Sequence, residues 1–291
     1  MKEVFLRAPA KLNLFLEVFP KKGGKYHPVC SIMDKITLFD ELTFKESKRV
    51  QVISSEKSLT SKENLVLKAT SLFKEKFGVS NGVTIFLKKR IPISSGLGGG
   101  SSDGASTLIG LSKLWNLELS REDLLPLAKE IGSDVPFFLY PGRCLVEGIG
   151  EKVTPIPSSP KLWYLLILPD FPLSTRSVYQ KLDLTGSSEA IKMESITKLV
   201  LPRLKEITFN RLEEVAYEEE SIIKEWKEWL LDKGVMTALM SGSGASTFGI
   251  VRSKEEAENI ASQGGEISRG KLVVVSTWRE NGNYRNESDF S

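Results

Sequence analysis

The sequence predicts a chain of α+β or mixed α/β class, on three observations. Strand and helix signals interleave through both halves of the 291 residues. Residues 83–88 alternate Val83, Ile85 and Leu87 with Thr84, Phe86 and Lys88, run into a glycine-rich turn, and give way to a helical spacing at Leu108, Leu111 and Trp115. Three prolines within residues 153–161 (VTPIPSSPK) then mark a boundary near the middle of the chain.

Taken in order, residues 4–19 read as a strand, or as two with a kink at Ala8, Pro9 and Ala10. KKGGK at 21–25 is a turn that closes a hairpin onto residues 29–39. Asn64 caps a helix whose stripe is Val66, Ala69, Phe73 and Phe77 and which Gly78 ends. The strand at 83–88 carries apolar residues on both faces, and Ser101, Ser102 or Asp103 is available to cap the helix after the glycine turn. Ser120 and Asp123 start a helix through Ile131, but Pro126 lies beyond its first turn, so a late start or a kink is expected. WYLLIL at 163–168 is a buried strand. Residues 221–234 form a helix with Ile222, Trp226, Trp229 and Leu230 on one face. Ser253 and Glu256 make a capping box ahead of Ala257, Ile260 and Ala261; residues 272–275 are a further buried strand, and a polar tail begins at 279.

Bulk properties exclude several classes of function. Forty basic against 37 acidic residues leave a net charge of +3, which gives no case for binding nucleic acid or a membrane surface. No run approaches the roughly 18 apolar residues of a membrane span. Lys11, Asn13 and Glu17 interrupt the first segment, so no secretory signal is expected and the expected setting is the cytoplasm. Cys30 and Cys144 are far apart and lack CxxC spacing, which fits buried apolar residues better than a disulfide framework or zinc site. The single histidine, His27, cannot supply a His-based metal site, and the sequence identifies no metal ligands.

The chemistry centres on RIPISSGLGGGSSDGA at 90–105. Gly96, Gly98, Gly99 and Gly100 lack Cβ atoms, so their N–H groups can converge on an anion, and the start of the following helix adds its own N–H groups and dipole. That is a phosphate cradle. It is neither a GxxxxGK[ST] loop nor a GxGxxG dinucleotide turn. A linker is the competing reading, and the flanking regular elements argue against it. Asp134, in IGSDVPFFLY, is either a turn residue or a carboxylate with a cationic partner or catalytic use. Lys11 and Asn13 share the strand face opposite Leu12, Leu14 and Leu16, where a solvated lysine is the ordinary alternative. MSGSGASTFG at 240–249 is a second glycine turn beside a strand.

PISSGLGGGSSDGAS resembles the phosphate-binding motif of the GHMP kinases. RAPAKLNLFLEV is similar to that family's opening segment, GSDVPFF to the motif around its catalytic aspartate, and MSGSGASTFG to its C-terminal glycine motif. GKYHPVCSIM, GRCLVEGIGE, PDFPLSTRSVY and FNRLEEVAY add matches in the same order, from Ala8 to Gly249. Gly104, Lys25 and Pro28 depart from the usual residues.

The resemblance implies two α+β domains, a ribosomal S5 domain 2-like one over 1–158 and a ferredoxin-like one over 159–291, with the active site in the cleft between them. It implies ATP-dependent phosphorylation of a small-molecule alcohol, with Mg²⁺. Pro92, Ser94, Ser95, Gly96, Leu97, Gly98, Gly99, Gly100, Ser101 and Ser102 would hold the triphosphate, with Ser101 or Ser102 near Mg²⁺. Asp134 would accept the hydroxyl proton, Lys11 would orient the pair, and Asn13 would bind substrate. The GLGGGSSD and YH forms are closest to members acting on a cytidine diphosphate-linked polyol, whose cytosine Tyr26 and His27 would hold. Members acting on mevalonate, phosphomevalonate or homoserine are the same-class alternatives, and a non-catalytic ligand sensor is the different-class one.

Overall fold

A computed structural model describes residues 2–21, 23, 26–56, 64–156, 160–184, 204–263, 265 and 267–279. The expected boundary at 158/159, Lys25, and the tail beyond 279 lie outside the described residues.

Strands β1 (Glu3–Val18) and β2 (Val29–Ser47) form the antiparallel pair that the turn at 21–25 predicts, with β2 running past residue 39. The kink expected at Ala8, Pro9 and Ala10 is a β-bulge inside one continuous strand, where the register shifts between Pro9 and Ala10. A bulge exchanges the faces of a strand. Before it, Leu6 and Ala8 join the core under the helices while Phe5 and Arg7 are exposed. After it, Ala10, Leu12 and Leu14 join a separate cluster against the second sheet. Lys11 is thereby turned to the helix side.

The first sheet is completed by β3 (Gln51–Ser54), β4 (Gly82–Lys88), β5 (Cys144–Gly148), β6 (Lys152–Pro155) and β8 (Phe209–Asn210), in the order β3-β4-β2-β1-β8, with β5 beside β2 and β6 beside β5. Helices α1 (Leu65–Phe77), α2 (Gly99–Leu114) and α3 (Arg121–Ile131) cover one face through Val66, Phe73, Leu108, Leu111, Leu124 and Ile131. Asn64 Oδ1 accepts from Val66 N and Gly78, at φ 64°, closes α1 as expected. Two expectations change here. Gly98, at φ 69°, caps α2 without a side-chain bond, so Ser101, Ser102 and Asp103 fall inside the helix. Helix α3 starts at Arg121 rather than late, because Ser120 and Asp123 complete a capping box and Pro126 sacrifices only one deeper N–H bond. Strand β4 carries apolar residues on both faces as expected: Val83, Ile85 and Leu87 are buried on one, and on the other Phe86 is 39% exposed beneath the Lys45 ammonium.

The second sheet, β11-β7-β10-β9, joins β7 (Trp163–Pro169), β9 (Thr237–Met240), β10 (Thr247–Val251) and β11 (Gly270–Ser276), all antiparallel. Tyr164, Leu166, Phe248 and Ile250 pack on Leu12, Leu14, Ile32 and Ile36 of the first sheet. The opposite face, through Leu165 and Ile167, meets Trp226 and Leu230 of one helix (Ile222–Asp232) and Ala257 of another (Lys254–Gln263). WYLLIL is apolar throughout because both its faces are covered. By contrast β11 is an edge strand, and Leu272, Val273 and Val274 are half-buried. The capping box expected at Ser253 is half made: Ser253 Oγ accepts from Glu256 N at 3.1 Å, but the Glu256 carboxylate takes Arg252 N instead. Between the sheets, Asp34 Oδ2 accepts from Arg143 Nη2 at 2.8 Å, from Thr277 Oγ1 at 2.7 Å and from the Tyr164 hydroxyl, a fully buried charge matched by several donors.

Candidate active site

The glycine turn sits where the two sheets meet, and its carbonyls are spoken for. Leu173 N donates to Ser94 O at 3.2 Å, Ser246 N to Ser95 O at 3.1 Å, Ser241 Oγ to Gly96 O at 3.1 Å and Lys11 N to Leu97 O at 2.9 Å. Three of those donors come from the C-terminal half, so the cradle is clamped between the halves. A Cβ on Gly96 would stand 2.0 Å from Ser241 O, which leaves no room for any other residue. The first N–H groups of α2 follow directly, and no intrahelical acceptor exists for them. Ser102 Oγ and Asp103 Oδ1, at the same helix start, are buried and have no hydrogen-bond partner among the described residues. Leu97 is wholly buried between the sheets, so only its main chain can face a ligand. Ser95 Oγ is engaged with Pro92 O at 2.7 Å.

Lys11 lies against this turn. It is 3% exposed, and its Nζ donates to Asn13 Oδ1, so the two share a face as the alternation predicts. Asn13 is held in turn by Nδ2 donating to Ser31 Oγ at 2.7 Å and by its backbone N on Ser241 Oγ at 3.3 Å. A Cβ placed on Gly98 would lie 3.1 Å from Lys11 Cγ, and one on Gly242 would lie 3.0 Å from Lys11 Nζ. The ammonium is therefore packed between the two glycine turns. Burial pushes its pKa down, and the Asp134 carboxylate opposes that shift.

Asp134 stands in a turn after α3. Val135 N donates to Gly132 O at 3.2 Å, and a 3₁₀ turn at Pro136–Leu139 carries the chain back into the core. The residue is half-buried and within electrostatic reach of both Lys11 and Tyr179. Tyr179, in α4 (Thr175–Lys181), has its phenol pKa raised by burial and then by Asp134. Its ring centroid is 6.2 Å from that of His27. The His27 Nδ1 is 3.0 Å from Phe19 O, a carbonyl that can only accept, so Nδ1 carries a hydrogen, and in the neutral ring Nε2 is the acceptor. Tyr26 is 59% exposed beside it. Lys11, Asn13, residues 96–98 and Asp134 thus come together, and His27 approaches them through Tyr179.

Tyr179, Asn210 and Ser241 fall in the matched stretches PDFPLSTRSVY, FNRLEEVAY and MSGSGASTFG, but the sequence gives none of them an individual role. Asn210 Nδ2 donates to Met240 O and Gly242 O, both at 2.8 Å, and so shapes the second glycine turn. Sequence reasoning missed the ion cluster beneath the cradle, where Lys89 Nζ bonds Asp103 Oδ2 at 2.7 Å and Asp40, and Asp40 Oδ1 accepts from Arg90 N at 2.6 Å and Ile91 N at 2.9 Å. Burial pushes the Asp103 pKa up to about 8; Asp40 adds to this and Lys89 opposes it. Cys30 and Cys144 are buried thiols as expected, and burial lifts the Cys30 pKa to about 11. No helix among the described residues is long and apolar enough to cross a membrane.

Two family descriptions match the chain, "GHMP kinases N terminal domain" over 64–142 and "GHMP kinases C terminal" over 193–266. A 4-diphosphocytidyl-2-C-methyl-D-erythritol kinase of Caldicellulosiruptor saccharolyticus is 38% identical over 291 aligned residues, covering 98% of this chain and all of that protein. A solved 4-(cytidine 5'-diphospho)-2C-methyl-D-erythritol kinase superposes with a TM-score of 0.79 at 30% identity, covering 94% of this chain and 98% of that one. A homoserine kinase from Cytophaga hutchinsonii, at 20% identity and a TM-score of 0.72 over 96% of both chains, shares the fold. With both halves matched in order and relatives aligned over nearly their whole length, the chain belongs to the GHMP kinase family.

Proposed function

We propose that this chain transfers the γ-phosphate of ATP to the 2-hydroxyl of 4-diphosphocytidyl-2-C-methyl-D-erythritol, a step of the non-mevalonate isoprenoid route. One observation carries the chemistry: a buried lysine packed between two glycine turns, its proton affinity lowered by burial and opposed by Asp134. Whole-length identity with relatives named for that substrate supports the choice of alcohol.

In this reading the triphosphate lies on the N–H groups from Gly96 to Ser102, with Pro92, Ser94 and Ser95 shaping the turn, and the dipole of α2 favours its charge. Asp134 accepts the proton of the attacking hydroxyl, and Lys11 orients the pair and offsets the charge that develops. Positioning and fixed charges supply most of the rate, because phosphoryl transfer asks little covalent work of the protein. Among the described residues no cluster of three or more His, Cys, Asp or Glu is placed to hold a metal. That fits Mg²⁺, which takes most of its ligands from phosphates and water; Ser101, the buried Ser102 Oγ and Asp103 Oδ1 are the oxygens at hand. When bound, the ion neutralises phosphate charge. At the far end, His27 Nε2 matches the exocyclic amine of cytosine, Tyr26 and Tyr179 offer ring faces, and Asn13 contacts the polyol. The N-terminal unit ends near residue 158, and the enzyme works in the cytoplasm.

The test is ADP release with a panel of alcohols. Turnover with 4-diphosphocytidyl-2-C-methyl-D-erythritol alone, blocked by cytidine compounds, is expected. Turnover with homoserine, mevalonate or phosphomevalonate instead would replace the substrate, and no turnover with any alcohol would favour a ligand sensor.

A further inference from the structure

We propose that Lys35 is a positioning residue for Asp134, an inference that rests on the role of Asp134 proposed above. Lys35 is a lysine with no exposed surface, on β2. Its Nζ donates to Phe138 O at 3.2 Å and to Tyr140 O. The ammonium also stands 5.5 Å from the centre of the Phe137 ring and 5.8 Å from that of Trp278. Burying an ammonium is expensive, and here it is placed on the carbonyls of one short segment, the 3₁₀ turn that follows Asp134.

That segment is a relay of turns. Gly132 O accepts from Val135 N at 3.2 Å, Val135 O from Phe138 N at 3.1 Å, and Phe137 O from Tyr140 N at 3.2 Å. Asp134 sits inside the first turn, and Lys35 takes the carbonyls at the far end, with Arg121 Nε on the intervening Leu139 O at 3.2 Å. The other fixed point is Lys11. Lys11 and Lys35 are direct cross-strand neighbours in the β1–β2 ladder. A Cβ on Gly98 would lie 3.1 Å from both Lys11 Cγ and Phe138 Cζ, so Phe138 packs where Lys11 meets the cradle. One rigid strand pair therefore carries both Lys11 and the clamp on the Asp134 turn. Removing the ammonium frees the turn to shift relative to Lys11, while the hydrogen bonds from Leu173, Ser246, Ser241 and Lys11 that hold residues 94–97 of the cradle stay in place. The backbone of Lys35 accepts from Trp278 N at 2.7 Å, which ties the same point to the end of β11.

The test is a double-mutant cycle on the full chain with Lys35→Met, which keeps the stem, and Asp134→Asn, reading kcat, both KM values, ATP affinity and melting temperature. The expected result is a kcat loss of about tenfold or more for Lys35→Met, KM and ATP affinity within about threefold, and no further loss when it is added to Asp134→Asn. A lowered melting temperature with wild-type kcat, or losses that multiply in the double variant, would overturn the proposal. If Lys35→Met fails to fold, Lys35→Leu, which removes both donors, carries the same cycle, and wild-type kcat in that variant is equally decisive; Lys35→Gln, which retains a donor for one carbonyl, should recover part of the lost kcat. Normal turnover of Asp134→Asn sinks the proposed chemistry itself, whereas loss there with none at Lys35 sinks this inference alone.

Discussion

Gly242→Ala probes whether the Lys11 ammonium occupies the reacting position. Gly242 has φ 58°, and an added Cβ would meet Gly96 O and Lys11 Nζ at 3.0 Å each and Asn13 Oδ1 at 3.3 Å. Left-handed backbone costs an L-residue about 1–2 kcal/mol. For a chain of this size each kcal/mol lowers the melting temperature by roughly 2–4 °C, so a fall of a few degrees is expected. The two 3.0 Å contacts must open by a few tenths of an ångström. Gly96 O is pinned by Ser241 Oγ at 3.1 Å, so the flexible lysine yields first. A misplacement of about 1 Å can cost on the order of 100-fold in rate, and a smaller shift predicts a kcat loss of roughly 10-fold to 100-fold. ADP release at saturating substrates, with thermal melts on the same preparation, measures both. A melting temperature lowered by a few degrees with kcat within twofold of wild type would refute the reasoning, because the ammonium would have moved without consequence.

Two further outcomes follow from the same geometry. Tyr26→Ala should raise KM for the cytidylyl substrate while leaving KM for ATP near wild type; an unchanged substrate KM would remove Tyr26 from cytosine binding. Asp103, with its pKa up to about 8 through burial, holds a proton in the folded chain that the unfolded chain releases near pH 4. Its stabilising effect is complete below that lower pKa and is lost as pH rises through the higher one, by at most about 1.4 kcal/mol per pH unit. Melting temperatures should therefore fall between about pH 4 and 8 in the wild type, with this contribution flat above pH 8, and fall less in Asp103→Asn; parallel curves would contradict the assignment.

Local patterns made much of this site legible. The strand, glycine turn and helix over 82–114 depend on neighbouring residues only, as do the Asn64 cap and the shared face of Lys11 and Asn13. What local patterns conceal is the exchange of faces at Pro9 and Ala10, since strict alternation through a bulge assigns Lys11 to the side of Phe5 and Arg7. The cap of α2 was misplaced for a related reason: Gly98 in a left-handed conformation starts the helix before any hydroxyl can. Alternation puts apolar residues on both faces of β4 without saying which face is covered, and Phe86 lies on the uncovered one. Tyr179 and Asn210 lie in matched stretches, but they reach the site through tertiary packing, and local pattern in a seven-residue helix or a two-residue strand gives neither a role. Lys35 did leave a trace, as consecutive charges in the apolar run VCSIMDKITLF.

The most direct measurement is the turnover of Asp134→Asn set beside its affinity for ATP. The account predicts a loss in kcat of about 100-fold or more with ATP affinity held within a few fold, since the cradle is untouched. Near-wild-type turnover, or an equal collapse of ATP binding, would contradict it.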